Sequence, residues 1–187
     1  MGLLAQIVYR GKQFVTGFAA TISKADLVTV QGILSSDQYA LFQQMPIDAQ
    51  RHSLNVLMAL QRAGYSDPDL ASAALLHDVG KVAANNAGVP ITLWIRGPLV
   101  ILEILSPLLL QRLASHDIQQ GWRYALYVQQ NHPEIGERWA AEAGSSEVSC
   151  WLIAHHQDKQ RTLAEEPVGH HKRRQLLAAL QWADSRN

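Results

Sequence analysis

Hydrophobic residues recur at helical spacing along most of this chain. Near the N-terminus the apolar positions lie three or four residues apart and predict an amphipathic helix, formed by Leu3, Leu4, Ile7, Val8, Phe14, Val15, Phe18 and Ile22. No segment shows a sustained period-two alternation rich in β-branched residues, which is the signal for a strand. The pattern therefore predicts an all-α fold.

Capping residues and helix breakers delimit the other helices. We predict helices from Ser35 through Phe42, from Asp48 to a stop at Gly64, from Asp67 to a stop at Gly80, from Asn131 onward, from Glu147 to about His156, and from about Lys172 to the C-terminus. The start at Asp67 is the clearest, because a capping acid precedes Pro68 at the first helical position and Asp69 follows in the first turn.

The length of 187 residues suggests one domain with an accessory segment. We expect residues 1–34 to form a helical segment that packs on a core domain of residues 35–187. The stretch from Ile91 to Leu113 is strongly apolar, but charged residues and prolines divide it into pieces too short for a membrane span. A buried helix or a contact with another subunit fits it better, which leaves room for a homodimer.

Charge and cysteine content narrow the functional class. Lys plus Arg and Asp plus Glu number 16 each, so no global field attracts nucleic acid or anionic lipid. The basic cluster His170–Arg174 could contact phosphate or nucleic acid, but it is more typical of a solvated helix start. The single cysteine, Cys150, excludes an internal disulfide, and no secretory signal is evident, so we expect a cytoplasmic protein.

Histidine is the unusual component of the composition, with eight residues. His77-Asp78 ends the helix that begins at Asp67, and His52 on the preceding helix could face His77 across the core. Other candidate ligands are His132, the pair His155-His156, and Asp184. Imidazole and carboxylate bind Zn, Mn, Fe or Ni, and helical bundles build such sites from inward-facing side chains. Each of these residues taken singly is more often a surface group or a hydrogen-bonded core residue.

The order of the motifs resembles the HD-domain superfamily of metal-dependent phosphohydrolases. The resemblance covers roughly residues 35–187 and consists of a histidine followed by His77-Asp78-Val79-Gly80-Lys81, His132-Pro133-Glu134-Ile135-Gly136, Ala154-His155-His156 and Ala183-Asp184. It implies an HD-type helical bundle that carries an extra N-terminal amphipathic helix. The cyclic-di-GMP phosphodiesterase subgroup has a Gly-Tyr-Pro signature after the histidine pair, and Gln157–Arg161 stand there in this chain. The resemblance therefore does not extend to that subgroup.

The resemblance also implies two metal sites that share an aspartate. The minimal ligand set of the superfamily, which would hold the first ion, corresponds to His52, His77, Asp78 and Asp184. His132 and His155 would hold a second ion, with Asp78 bridging both. The ions would be divalent transition metals such as Mn, Fe, Zn, Ni or Co.

Lys81 and His156 are the candidate substrate-binding residues by the same resemblance. Lys81, one turn beyond Asp78, would contact a substrate phosphate, although a lysine after a helix end can also be simply solvated. The expected activity is hydrolysis of a nucleotide or another small phosphate ester by a metal-activated water, with Asp78 and Lys81 in the catalytic machinery. Two alternatives stay open: a di-iron oxygenase, which the HD fold also includes, and a non-catalytic module that binds a ligand.

Overall fold

The computed structural model of the protein describes residues 21–89, 107–158 and 171–187, and all regular secondary structure within these ranges is helical. The predicted all-α fold is therefore confirmed. The helices are α1 (Lys24–Gln31), α2 (Ser36–Gln44), α3 (Ile47–Arg62), α4 (Pro68–Leu76), α5 (Val82–Asn86), α6 (Pro107–Leu113), α7 (Trp122–Glu142), α8 (Glu147–His155) and α9 (His171–Asp184). Short 3-10 turns occupy Val79–Lys81 and Ile118–Gln120.

Helix α4 occupies the centre of the bundle. It packs against α2, α3, α8 and α9, and its apolar residues from Leu70 to Leu76 are almost all buried. A helix that is hydrophobic on every side is stable only when neighbours cover it all round. The central position of α4 therefore follows from its composition, and its C-terminal end delivers His77 and Asp78 to the interior.

Local sequence determines where α4 begins. The Asp67 carboxylate accepts hydrogen bonds from the backbone N–H groups of Asp69 and Leu70, at 3.1 and 3.2 Å, and Pro68 occupies the first helical position. A second tie joins this end to α8, because Ser146 Oγ donates to the Asp69 carboxylate at 2.6 Å. The α4 start is thus both capped and held to a neighbouring helix.

Two predicted helix boundaries were wrong. Helix α7 begins at Trp122 and not at Asn131, because Gly121 supplies a start with positive φ and the Asn131 side chain donates to the carbonyl of Tyr127 within the helix. Pro133 consequently lies inside α7. The α-helix that begins at Pro68 ends at Leu76, and the 3-10 turn Val79–Lys81 follows it.

The structure describes only part of the N-terminal segment and of the central apolar stretch. Residues 1–20 and 90–106 lie outside the described residues, so the amphipathic helix predicted at the N-terminus and most of the apolar stretch are not described. Helix α1 lies within the segment 1–34 that was expected to be helical, and it packs Val30 into the same core as α4. The domain boundary at residue 34 stays a prediction. Within the described ranges, no helix is long and apolar enough to cross a membrane.

A close backbone contact joins the turn after Asp78 to helix α7. A Cβ atom added to Gly80 would lie 2.1 Å from the carbonyl oxygen of His132 and 2.7 Å from the backbone nitrogen of Gly136. Both neighbours are backbone atoms, so no side-chain rotation can relieve the overlap. Glycine at position 80 therefore sets the distance between Asp78 and His132.

Replacing this glycine should separate the two elements. We expect Gly80→Ala to lower the free energy of unfolding by about 3 kcal/mol, because the added methyl group must push the turn away from α7. Chemical denaturation measures the change. Gly32→Ala is the matched control, since its Cβ would meet nothing closer than 3.5 Å. A Gly80→Ala protein as stable as the control would contradict this account of the contact.

Candidate metal centre

Six of the candidate side chains converge in two adjacent groups. His52, His77 and Asp184 form the first group, and Asp78, His132 and His156 form the second. Within each group the nearest ligand atoms all lie within 4.8 Å of one another. Imidazole nitrogens and carboxylate oxygens at this separation could hold a metal ion.

The ligands come from helices that are far apart in sequence and adjacent in space. His52 lies on α3, and Asp184 is the last residue of α9, yet His52 Nε2 is 2.9 Å from Asp184 Oδ1. His132 lies in the middle of α7, and His156 caps the C-terminus of α8. The site therefore exists only when these helices pack around the end of α4.

Three buried histidines each donate a hydrogen bond from Nδ1 to the backbone carbonyl three residues earlier. His77 Nδ1 donates to the carbonyl of Ala74 at 3.0 Å, His132 Nδ1 to that of Gln129 at 2.8 Å, and His156 Nδ1 to that of Ile153 at 2.7 Å. A carbonyl oxygen can only accept, so each Nδ1 carries a proton. In the neutral rings Nε2 is then the unprotonated nitrogen, and metal-ligating histidines commonly have this arrangement.

The second group brings three acceptor atoms face to face. His132 Nε2 lies 3.3 Å from His156 Nε2, and Asp78 Oδ1 lies 3.4 Å from the first and 3.7 Å from the second. With both Nδ1 atoms protonated, none of these three atoms has a proton to donate when the rings are neutral. Facing lone pairs repel one another, and a cation among them removes that repulsion.

The environment keeps the ligands in the form that binds metal. Burial, together with the charge of Lys81, lowers the pKa of His132 to about 4, so its ring is neutral at pH 7. Burial opposes the ionisation of Asp78, but the ammonium group of Lys81 holds the pKa of that carboxyl well below its usual range. Lys81 Nζ donates to Asp78 Oδ2 at 2.7 Å. Asp78 is thus a buried carboxylate that depends on positive charge beside it.

His77 lies between the two groups and also attracts positive charge. Its Nε2 is 3.7 Å from Asp184 Oδ1 and 3.8 Å from Asp78 Oδ2, and it has no hydrogen-bond partner among the residues that the structure describes. Burial works to lower the pKa of His77, but the two carboxylates outweigh it and raise that pKa. An unpartnered buried ring nitrogen flanked by two carboxylates fits a bound cation, because the cation would satisfy all three groups.

The structure places His156, and not His155, next to Asp78 and His132. His155, which the family resemblance assigned to the second ligand group, lies outside that group. Its ring centroid is 4.7 Å from that of Trp151 at a tilt of 43°, and its Nδ1 pairs with Asp158 at 2.6 Å. His156, which was expected at most to contact substrate, takes its place with Asp78 and His132. The physical reason is helical phase, since neighbouring residues of a helix point about 100° apart.

The burial of α8 residues explains why His156 faces the centre. The buried residues of this helix include Ser149, Leu152 and Ile153, and His156 follows them at intervals of seven, four and three residues. These are the spacings of one helix face, whereas His155 is rotated about 100° from His156. The apolar residues of α8 lie on all sides of the helix, so this distinction required the structure.

The remaining basic candidates have structural partners. Lys172 forms an ion pair with Asp67 at 2.9 Å, and Arg173 forms one with Glu147 at 3.0 Å. Both pairs tie the start of α9 to the N-terminal ends of other helices, which agrees with reading the cluster as a helix start. We find no role for these two residues at the metal centre.

Comparisons with protein-family models, curated proteins and solved structures found no match to this chain. The function of this chain therefore has to be inferred from the residues and geometry of the centre.

The two neighbouring histidines offer a direct test of the second group. We expect His156→Ala to lose one bound metal ion per chain, because the group keeps only two of its three ligands. His155→Ala is the matched control and should keep the metal content of the unaltered protein. Elemental analysis after dialysis measures both. Loss of metal from His155→Ala with retention in His156→Ala would contradict the assignment.

Proposed function

We propose that this protein is a metal-dependent phosphohydrolase of the HD superfamily that acts on a nucleotide or another small phosphate ester. The observation that carries the proposal is the convergence of Asp78 Oδ1 with the Nε2 atoms of His132 and His156, which, with neutral rings, places three acceptors together without a donor from the described residues. The order of the His-Asp, His-Pro, His-His and Ala-Asp motifs supports the choice of superfamily.

The proposal includes two divalent transition-metal ions, with Asp78 between them. Its Oδ1 faces the second group, and its Oδ2 lies on the side of His77. One carboxylate placed between two sets of nitrogen ligands suits a binuclear centre, in which each ion has histidines of its own. Histidine and carboxylate ligands accept Mn, Fe, Zn, Ni or Co, so the ligand set leaves the identity of the metal open.

Bound ions would supply the charge that acidifies a water molecule and neutralises phosphoryl oxygens. The protein provides a dry wall on one side and an entrance on the other. His77, His132 and His156 have side chains that are 1% exposed or less. His52, Asp184 and Lys81 are 22%, 32% and 26% exposed, so substrate would approach from their side.

Lys81 is the protein's own cation at that entrance. Its ammonium group neutralises Asp78 at 2.7 Å and remains partly accessible to solvent. A substrate phosphate that reached the centre would meet this charge. The lysine would orient the phosphate by hydrogen bonding and stabilise negative charge that develops on its oxygens.

The first test combines metal analysis with a panel of phosphate esters. The protein, purified anaerobically without chelator, should contain about two ions per chain. It should release phosphate from at least one nucleotide or small ester. Asp78→Ala should lose both ions and all turnover, because it removes the ligand shared by the two groups. Turnover retained in Asp78→Ala without metal would exclude the mechanism. Two iron atoms per chain with oxygen uptake and no phosphate release would favour a di-iron oxygenase instead.

The second test separates the role of Lys81 from metal binding. We expect Lys81→Ala to keep both ions and to reduce turnover by about 100-fold, the scale typical for loss of one donor to developing charge. Steady-state kinetics and elemental analysis on the same sample measure the two effects. Lys24→Ala, at the exposed start of α1, is the control and should match the unaltered protein. Loss of metal from Lys81→Ala would show that the lysine serves the ligands and not the substrate.

A further inference from the structure

Pro133 stands in the interior of α7, directly after a ligand of the second group, and its side chain is buried. In an α-helix the N–H of residue 133 would donate to the carbonyl of residue 129. Proline has no N–H, so the intrahelical bond to Gln129 cannot form. A proline at this position leaves one backbone carbonyl in the middle of the helix without its usual donor.

The side chain of His132 uses that carbonyl. His132 Nδ1 donates to Gln129 O at 2.8 Å, and this bond directs Nε2 toward Asp78 and His156. The free carbonyl and the histidine that needs an acceptor thus belong to the same turn of α7. The missing N–H and the orientation of the ring are parts of one local arrangement.

The other two buried histidines obtain acceptors in a different way. His77 uses the carbonyl of Ala74 near the end of α4, and His156 uses that of Ile153 near the end of α8. The last four carbonyls of any helix lack intrahelical donors, so these acceptors come without a special residue. His132 lies ten residues inside α7, where a carbonyl normally accepts a backbone N–H, and a residue without an N–H at position 133 leaves the Gln129 carbonyl unshared.

We propose that Pro133 is a positioning residue for the second metal site. By withholding its N–H from Gln129, it reserves that carbonyl for His132 Nδ1 and so holds His132 Nε2 in the orientation and protonation state of a metal ligand. This inference rests on the proposed function, because it assigns a purpose to the orientation of His132. It adds a residue that contacts neither the metal nor the substrate.

The expected effect of restoring the N–H is a weakening of the site and not its loss. A carbonyl oxygen has two lone pairs, so an alanine N–H at position 133 would compete for Gln129 O without fully displacing His132 Nδ1. Loss of the partner that orients a ligating histidine typically costs about 10- to 100-fold in metal affinity. We therefore expect Pro133→Ala to weaken binding of the second ion by up to about 10-fold and to leave binding of the first ion, at His52, His77 and Asp184, unchanged.

The experiment is a titration of the full-length, metal-free protein with Mn²⁺ and, separately, with Zn²⁺, monitored by calorimetry. Pro133→Ala and Pro133→Val are compared with the unaltered chain, and Pro68→Ala at the start of α4 is the control for loss of a proline. Both variants at position 133 restore the N–H, but valine keeps more of the volume of proline. A weaker second ion in both variants supports the inference. Weakening in alanine alone would assign the effect to a cavity and overturn it.

A second measurement separates this inference from the proposed function. In metal-free protein, the His132 Nδ1 proton should move upfield in the NMR spectrum of both variants, because its hydrogen bond to Gln129 is shared. If the unaltered chain binds no second ion, the proposed function fails, and the NMR shift still reports on Pro133. If two ions bind to the unaltered chain and to both variants with equal affinity, the role of Pro133 is refuted while the metal centre stands.

Discussion

The distance between the turn that follows Asp78 and the backbone of α7 is the constraint on which the centre depends. Gly80 lies so close to the carbonyl of His132 that a Cβ atom would meet it at 2.1 Å. Gly136, one turn farther along α7, is also close to this turn, because a Cβ atom added to it would lie 3.2 Å from the backbone nitrogen of Gly80. Two helical elements meet here through backbone, so the carboxylate of Asp78 and the imidazole of His132 come close enough that one ion could bind both.

Burying the charged and polar groups of the centre costs free energy, and their interactions with neighbouring groups offset part of that cost. An isolated carboxylate in the interior would cost several kcal/mol or shift its pKa until it became neutral. Asp78 stays charged because Lys81 pairs with it, and the buried histidines each place one nitrogen on a backbone carbonyl. What remains uncompensated is the set of inward-facing acceptors. The repulsion among these acceptors is a local electrostatic effect and does not come from the net formal charge of the chain, which is zero.

Local signals predicted the framework well, and the errors have a common physical origin. The cap at Asp67 and the breaker at Pro68 marked the start of α4, because these residues act on backbone groups within four positions of themselves. Asn131 and Pro133 resembled a helix start in the same local sense, but the upstream turn at Gly121 had already begun the helix. A segment can be compatible with several conformations, and packing against the rest of the protein selects one of them. A local sequence pattern does not contain that information.

The candidate ligands were mostly recognisable from the order of the motifs, whereas their grouping required three dimensions. Choosing between His155 and His156 depended on the rotational phase of α8, which its sequence does not define, because apolar residues lie on all sides of this helix. The orphaned Nε2 of His77 and the facing nitrogens of His132 and His156 could not be inferred from the sequence, because they result from crossing angles between helices. The residue types thus indicated metal-binding chemistry, and the geometry indicated which atoms could bind the same ion.

His52 and Asp184 are separated by 132 positions along the chain and meet at 2.9 Å. An ion held between them would close a loop that includes most of the protein, much as a long-range disulfide does, and would restrict the unfolded chain. Unlike a disulfide, this cross-link would be reversible, and its strength would follow the free concentration of metal. The same contact that closes the site would then make the cohesion of the whole bundle responsive to the supply of metal in its surroundings.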